Sequence, residues 1–270
     1  ALANGELELH YQPLVATQTM QTVGYEALLR WNHPTRGPVS PDLFIPIAEE
    51  TGQIVQIGEW VLREALAEAA RWPDHLTVSV NLSPVQTMDT EIYGIIVHAL
   101  AASAVPAHRL ELEITETVLM RECEETIALL HRIRDLGVRI ALDDFGTGYS
   151  SLNYLRAFPF DKIKIDRCFV GDMAEREDSD TIVQAVIALA TRLNMSTTAE
   201  GIETAEQMEL LRATECSQMQ GFLFSRAVPA AQLVHRVPGE QVAAPQVARM
   251  RSGAEKARPA HDEKERHRAV

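Results

Sequence analysis

Ile140-Ala141-Leu142-Asp143-Asp144 is a short apolar run that ends in two consecutive acids. Four other short apolar runs contain or end in an acid or an amide, at Glu26, Asn81, Glu113 and Glu200. Runs of this length, rich in β-branched residues and separated by helical stretches, are typical of buried parallel strands. Because the carboxyl ends of parallel strands meet at one rim of a barrel, we expect these polar side chains to lie close together.

Apolar runs and amphipathic stretches alternate along most of the chain. The predicted strands are residues 9–15, 23–31, 76–82, 109–114, 138–143, 162–166, 196–200 and 217–221. The predicted helices are residues 42–51, 57–72, 90–102, 122–136, 151–157, 180–194, 204–213 and 229–236. This alternation predicts the α/β class and a TIM-like (β/α)8 barrel. The first two strands are joined so tightly that they must be antiparallel, so the first strand should run against its neighbours.

The two ends of the chain differ from this pattern. Residues 1–6 resemble the tail of a helix that begins further upstream, so we expect a piece of a longer protein. From about residue 239 the sequence is mainly Ala, Pro, Gly, Arg, Glu and Lys, a composition that cannot bury a core. We therefore expect one barrel domain over residues 1–238 and a disordered C-terminal tail over residues 239–270.

Charge, hydropathy and cysteine content narrow the function classes. The 270 residues carry a formal net charge of −13, which argues against long nucleic acids but leaves open a small anionic ligand bound through cations. No apolar stretch approaches the ~20 residues that span a bilayer, and no basic segment followed by an apolar one indicates secretion. Cys123, Cys168 and Cys216 lie far apart, as expected of free thiols in a reducing, cytoplasmic compartment.

The polar residues at the predicted strand ends form a candidate metal site. They are Glu26, Asn81, Glu113, Asp143, Asp144 and Glu200. Oxygen ligands without Cys or His favour Mg²⁺ or Mn²⁺ over Zn²⁺. Two carboxylates ~4 Å apart repel by roughly 4 kcal/mol at an effective dielectric constant of 20, against a total stability of ~5–15 kcal/mol, so a purely structural cluster is disfavoured. Two ions ~3.5–4 Å apart would form the clamp used for in-line displacement at phosphorus.

Each acid taken alone has a plainer interpretation. A single Glu at a strand end is usually a solvated loop residue or a helix cap, and Asp-Asp-Phe-Gly is common in turns. The same feature on five strands is much harder to explain in this way. The repetition therefore favours the metal site.

Three further residues suit an anionic substrate. Arg30 lies four positions beyond Glu26 on the same strand face, where its guanidinium could bind a phosphate oxygen. Lys164 alternates with two isoleucines, so it points into the barrel if they pack outward. There it could orient water, neutralise charge or form an internal salt bridge with one acid of the Asp pair. Gln220, at the end of the eighth predicted strand, could contact substrate or only satisfy backbone groups.

Seven motifs follow one another along the chain. They are Glu26-Ala27-Leu28 with Arg30, Asn81-Leu82-Ser83-Pro84, Glu113-Ile114-Thr115-Glu116, Asp143-Asp144-Phe145-Gly146-Thr147-Gly148, Lys164-Ile165-Asp166, Ala199-Glu200-Gly201-Ile202-Glu203-Thr204 and Gln220-Gly221-Phe222. Together, over residues 6–237, they resemble the bacterial EAL-domain family. This resemblance implies a barrel with an antiparallel first strand and hydrolysis of cyclic di-GMP to linear 5′-pGpG.

The resemblance also implies roles for individual residues. The ligands of a first Mg²⁺ or Mn²⁺ would be Glu26, Asn81, Glu113 and Asp143. The ligands of a second ion would be Asp143, Asp144 and Glu200. The catalytic residues would be Lys164, Glu26 and Glu200. Substrate would contact Arg30, Gln220 and Leu28, and the loop over residues 144–151 would be supported by Glu116 and Glu203.

The resemblance extends to partners and leaves two rival functions. It implies a homodimer and fusion to upstream sensory or GGDEF-type domains, and the full-length protein could be membrane-anchored. Some EAL-type domains bind cyclic di-GMP without cutting it, usually after losing acids from the rim. A barrel that only mediates protein contacts is the second rival. The presence of every expected acid favours the enzyme over both.

Overall fold

The computed structural model describes residues 1–120, 124–146, 155, 158, 160–173 and 176–233. Its strands in chain order are β1 (Leu7–Ala16), β2 (Thr22–His33), β3 (Gly37–Val39), β4 (Thr77–Asn81), β5 (Leu110–Thr115), β6 (Arg139–Phe145), β7 (Lys162–Ile165), β8 (Ser196–Ala199), β9 (Gln218–Met219) and β10 (Val228–Pro229). Eight of these strands close into a barrel in the order β1, β9, β8, β7, β6, β5, β4 and β2, and pairing of β2 with β1 completes the ring. The predicted (β/α)8 barrel is confirmed.

The first strand runs against both of its neighbours in the barrel. β1 pairs antiparallel with β2, where Gln12 lies opposite Glu26, and antiparallel with β9. The other ring neighbours are parallel. The short connection between β1 and β2 leaves no room for a crossover, which is the physical reason for the reversal. The predicted antiparallel first strand is therefore confirmed.

Helices cover the outside of the barrel. In chain order they are α1 (Pro41–Glu50), α2 (Gln53–Ala69), α3 (Pro84–Thr87), α4 (Ile92–Ser103), α5 (Glu116–Met120), α6 (Glu124–Asp135), α7 (Arg167–Asp172), α8 (Glu177–Arg192) and α9 (Ala205–Arg212). The longest, α2, buries Val61, Ala65, Leu66 and Ala69 on one face, as its apolar spacing predicts. Among the described helices, none combines the length and apolarity needed to cross a membrane.

The structure departs from the predicted elements mainly after strand ends. The short helices α3, α5 and α7 follow β4, β5 and β7 directly and have too few residues to show a helical apolar period. The predicted helix at residues 229–236 is wrong over its described part, which forms β10 and a 3₁₀ turn at Ala230–Gln232. There, Val228 and Pro229 pair with Tyr11 and His10 on an edge of β1 that the two-residue β9 does not reach.

Two other predictions fall on residues outside those that the structure describes. The predicted helix at residues 151–157 lies almost entirely there, and so does the predicted tail at 239–270. The domain boundary near residue 238 therefore stays a prediction.

The barrel strands are buried on both faces, and this decides where the charged side chains go. On β5, Leu110, Leu112 and Ile114 belong to the apolar core, whereas Glu111 and Glu113 alternate with them. Both glutamates reach partners on β7, which is not a neighbour of β5, so they extend into the barrel interior. The interior of this barrel therefore holds charged side chains that pair across it.

Candidate active site

Lys164 lies at the centre of a ring of carboxylates at the carboxyl ends of the strands. Its ammonium Nζ is 2.7 Å from Glu200 Oε1, 2.5 Å from Glu113 Oε2, 3.2 Å from Asp143 Oδ1 and 3.8 Å from Glu26 Oε2. The lysine side chain is only 2% exposed. These acids come from β2, β5, β6 and the end of β8, so the barrel brings together residues that are up to 174 positions apart in the sequence, from 26 to 200. The predicted internal salt bridge to one of the aspartates exists, but it includes three glutamates as well.

Two amide side chains hold Glu26 in place. Asn81 Nδ2 donates to Glu26 Oε1 at 2.7 Å, and Gln220 Nε2 donates to Glu26 Oε2 at 2.7 Å. Gln220 Nε2 also donates to Gln12 Oε1 at 3.1 Å, which ties the end of β9 to β1. Because Asn81 Nδ2 donates to Glu26, the amide oxygen of Asn81 is the atom that a cation would bind.

Asp144 reaches the same cluster as Asp143 because β6 is irregular at this point. The pairing of β6 with β7 shifts register between Leu142 and Phe145, and Asp144 has a φ of 53°. Regular strand alternation would send the two consecutive aspartates to opposite faces. A bulge instead re-aims the second side chain, so that oxygens of Asp143, Asp144 and Glu200 all lie within 4.8 Å of one another.

Burial and mutual repulsion shift the ionisation of this cluster. Burial raises the pKa of Glu200 to about 7, and burial followed by repulsion from Glu26 raises the pKa of Glu113 well above its usual range. Burial and Asp143 also raise the pKa of Asp144. Burial acts on Glu26 in the same direction, but Lys164 and the two amide donors outweigh it and lower that pKa.

Lys164 itself is held in the charged form. Burial alone would lower the pKa of its ammonium, but the four surrounding carboxylates outweigh burial and raise that pKa well above its usual value. One cation therefore faces more negative charge than it can neutralise, and some carboxyl groups retain protons.

The residues of the cluster fit divalent cations. Glu113 Oε1 is buried and has no hydrogen-bond partner among the described residues, although such an oxygen normally has one. Every other candidate ligand atom is also an oxygen, which suits a hard cation. The cluster is thus an acidic group able to hold a metal ion.

Three of the predicted substrate and loop residues lie on β2 or next to the loop after β6. Leu28 and Arg30 share the face of β2 that carries Glu26, and Arg30 is half-buried with its Nη1 donating to the Leu29 carbonyl at 2.9 Å. Glu116 Oε1 accepts the Gly146 backbone N–H at 2.9 Å, at the start of the loop whose residues 147–154 lie outside the described part of the chain.

Glu203 is not brought into the cluster. Its side chain is exposed in the loop after β8, and its backbone N–H donates to Gln207 Oε1 at 2.9 Å. The loop-support role of Glu203, like the individual roles of the other site residues, stays a prediction.

A second polar group lies inside the barrel below the carboxylate ring, and the sequence reading did not single it out. Lys162 Nζ contacts Glu111 Oε1 at 2.7 Å and Gln218 Oε1 at 2.9 Å, and Ser79 Oγ donates to Glu111 Oε1 at 2.9 Å. We call these four residues the lower layer. The sequence did indicate this group. Glu111 lies two positions before Glu113, and Lys162 lies two positions before Lys164, so each points to the same strand face as its counterpart.

Comparison with known proteins places this barrel and its acidic centre in one family. The family model described as "EAL domain" matches residues 1–227. The chain therefore belongs to the EAL-domain family, and the resemblance identified from its seven motifs is confirmed.

Relatives and a solved structure agree with this assignment. The chain is 44% identical over 237 residues to the cyclic di-GMP phosphodiesterase NbdA of Pseudomonas aeruginosa, covering 86% of this chain and 30% of that protein. It is 43% identical over 241 residues to the bifunctional diguanylate cyclase/cyclic di-GMP phosphodiesterase MucR of the same organism, covering 88% of this chain and 35% of that protein. A structure of the PaMucR phosphodiesterase with c-di-GMP superposes with a TM-score of 0.83 at 43% identity, covering 87% of this chain and 96% of that one. The chain spans about a third of the length of the curated relatives it matches.

Proposed function

We propose that this chain is a phosphodiesterase that hydrolyses cyclic di-GMP to linear 5′-pGpG with the help of Mg²⁺ or Mn²⁺. The observation that carries the proposal is the ring of four carboxylates around Lys164, with Asp144 joined to it by the bulge in β6. The choice of cyclic di-GMP as the substrate is supported by relatives that are named as cyclic di-GMP phosphodiesterases and align with most of this chain.

Two cations would share the oxygen ligands of the ring. The ligands of one would be Glu26, Asn81, Glu113 and Asp143, and those of the other Asp143, Asp144 and Glu200. Two observations support these two ligand sets. Glu113 Oε1 has no hydrogen-bond partner among the described residues, and oxygens of Asp143, Asp144 and Glu200 lie within 4.8 Å of one another. When bound, such ions lower the pKa of water and stabilise negative charge on phosphoryl oxygens.

The side chains of the protein supply positioning and charge. Lys164 keeps its ammonium beside the reacting phosphate, where it offsets developing negative charge and can orient the attacking water. Glu200, which would give up its proton on binding the second cation, would contribute to catalysis as a ligand of that cation. Arg30 binds a phosphate oxygen of the substrate, and Leu28 packs beside it.

Gln220 and Glu116 act on the geometry of the site. Gln220 fixes Glu26 through its amide N–H, which keeps a ligand carboxylate from rotating, and its second predicted role is contact with substrate. Glu116 holds the Gly146 N–H and so anchors the loop that follows Asp144. Glu203 would support the same region from the loop after β8.

One assay distinguishes the proposal from its rivals. Purified protein is incubated with cyclic di-GMP and Mg²⁺ or Mn²⁺, products are separated by chromatography, and an EDTA sample serves as control. We expect linear 5′-pGpG only when the cation is present. Binding of cyclic di-GMP without product would indicate a receptor, and neither binding nor product would indicate a protein-contact module.

The proposal also covers fusion to other domains, dimerisation and cellular location. Because the relatives are about three times as long as this chain, we expect it to be the output domain of a larger signalling protein with sensory or GGDEF-type domains upstream. We expect a homodimer, whose formation size-exclusion chromatography with light scattering would test. The cytoplasmic location stays a prediction.

A further inference from the structure

Asn81, a proposed cation ligand, depends on neighbouring residues for its position. It is the last residue of β4, its side chain is exposed, and Nδ2 donates to Glu26 Oε1. An exposed amide has rotamer freedom that a buried ligand lacks, and an error of about 1 Å in a ligand atom weakens a metal site. The position of Asn81 therefore depends on the backbone of the turn that follows it.

That turn is fastened on both sides. The Leu82 N–H donates to the Glu113 carbonyl at 2.8 Å, which binds the turn to the end of β5. Ser83 Oγ donates to Glu49 Oε1 at 2.5 Å, which binds it to the last turn of α1. A hydroxyl that donates to a carboxylate makes a charge-assisted hydrogen bond, a type roughly twice as strong as a neutral one.

Ser83 also begins the helix that follows. Its Oγ accepts the Val85 N–H at 3.2 Å, while its own N–H donates to Gln86 Oε1 at 3.1 Å. Gln86 is buried against Gly58 of α2, where an added Cβ would overlap the Gln86 side chain. The hydroxyl of Ser83 has a single hydrogen, and Glu49 receives it, so α2 fixes one side of the turn and Glu49 fixes the other.

We propose that Glu49 is a positioning residue that holds the Ser83 turn and thereby places Asn81 at one of the two cation sites. The inference rests on the proposed function. It predicts an asymmetric effect, because Asn81 belongs to only one of the two ligand sets. The other set, Asp143, Asp144 and Glu200, lies on β6 and directly after β8, away from this turn.

The test is a Mn²⁺ titration of Glu49→Ala, in which the electron paramagnetic resonance signal of free Mn²⁺ gives the number and affinity of bound ions. We expect one of the two binding events to weaken by about tenfold or more, as for partners that orient metal ligands, and the other to stay within twofold. Ser83→Ala should weaken the same event, and the double variant should be no weaker than the poorer single variant, since both changes remove the same Ser83–Glu49 bond. Glu49→Gln keeps an acceptor oxygen for Ser83 and should bind both ions within threefold of the wild-type protein.

Glu50→Ala is the matched control, because Glu50 is the exposed neighbour on α1 and its removal changes the net charge equally. Both binding events should stay within twofold in this variant. A role of Glu49 limited to holding α1 would lower the melting temperature and leave both affinities unchanged, which would overturn the inference. Equal affinities in Glu49→Ala and Glu50→Ala, or equal weakening of both events, would overturn it as well.

Failure of the proposed function would give a different experimental result. A wild-type protein that binds two ions but leaves cyclic di-GMP intact refutes the enzymatic activity, and the Glu49 comparison still decides the positioning role. A wild-type protein that binds no Mn²⁺ overturns both.

Discussion

Replacing Lys164 with Met should destabilise the metal-free protein far more than the metal-loaded protein. Each contact between its Nζ and a carboxylate oxygen at 2.5–3.8 Å corresponds to about 4–7 kcal/mol at an effective dielectric constant of 20. These energies do not add, because burying the ammonium has its own cost and some carboxyl groups hold protons. Removing one partner from a buried ion pair typically costs about 3–5 kcal/mol, and we expect a loss in this range.

The assay is urea unfolding followed by circular dichroism, in EDTA and in saturating Mn²⁺. In EDTA the loss should also lower the melting temperature by about 6–20 °C, at about 2–4 °C per kcal/mol for a domain of this size. In Mn²⁺ most of the loss should disappear, because divalent cations replace the missing positive charge within the ring.

Lys162→Met is the matched control for this experiment. Lys162 is equally buried and pairs with Glu111, but it lies in the lower layer, below the ring that the cations would enter. Its loss should destabilise the protein by a similar amount in EDTA, and Mn²⁺ should not restore it. The reasoning is refuted if Mn²⁺ rescues both variants equally or neither, or if Lys164→Met costs less than about 1 kcal/mol in EDTA.

Three further predictions concern single residues. Glu26→Ala should abolish hydrolysis of cyclic di-GMP in the chromatographic assay, and an unchanged rate would contradict its assignment as a ligand. Because burial raises the pKa of Glu200 to about 7 and also raises that of Glu113, and cations must displace those protons, Mn²⁺ affinity measured by calorimetry should fall by about tenfold or more per pH unit below pH 7; affinity that does not change between pH 5.5 and 7 would count against this. Gly221→Ala should cost about 1–3 kcal/mol in urea unfolding because its Cβ would overlap the Ile202 backbone, whereas Gly94→Ala, with open space on α4, should be neutral or stabilising by up to about 1 kcal/mol; equal effects would show that the close approach is not tight.

Much of the barrel could be predicted because its pattern is local. Parallel strands such as β6 are mostly buried and appear as short apolar runs, and long helices such as α2 show a clear apolar stripe. The strands that escaped prediction are short ones whose existence depends on a partner strand. β3 pairs with the end of β2, and β10 takes up an edge of β1, so their extended backbone is decided by hydrogen bonds to distant residues.

The site could be predicted only in part. Strand-end acids such as Glu26 and Glu113 were identifiable because parallel strands deliver their carboxyl ends to one rim. Asp143 and Asp144 were predicted at the same rim, but the bulge in β6 that turns both side chains toward the cluster is not revealed by any residue pattern in the chain. The lower layer was not singled out although Glu111 and Lys162 lie two positions before Glu113 and Lys164, and only the closed barrel shows that Lys162 meets both Glu111 and Gln218.

The order of residues by itself determined the barrel, the reversed first strand and the list of acids, because each follows from apolar periodicity, connection length or position at a strand end. Only the folded chain decided which of those acids surround Lys164, which of them have raised pKa values, and that Glu49 holds the turn after Asn81. These properties depend on distances of a few ångströms between groups from different strands and helices, and on the loss of water around them. Neither quantity exists until the barrel closes.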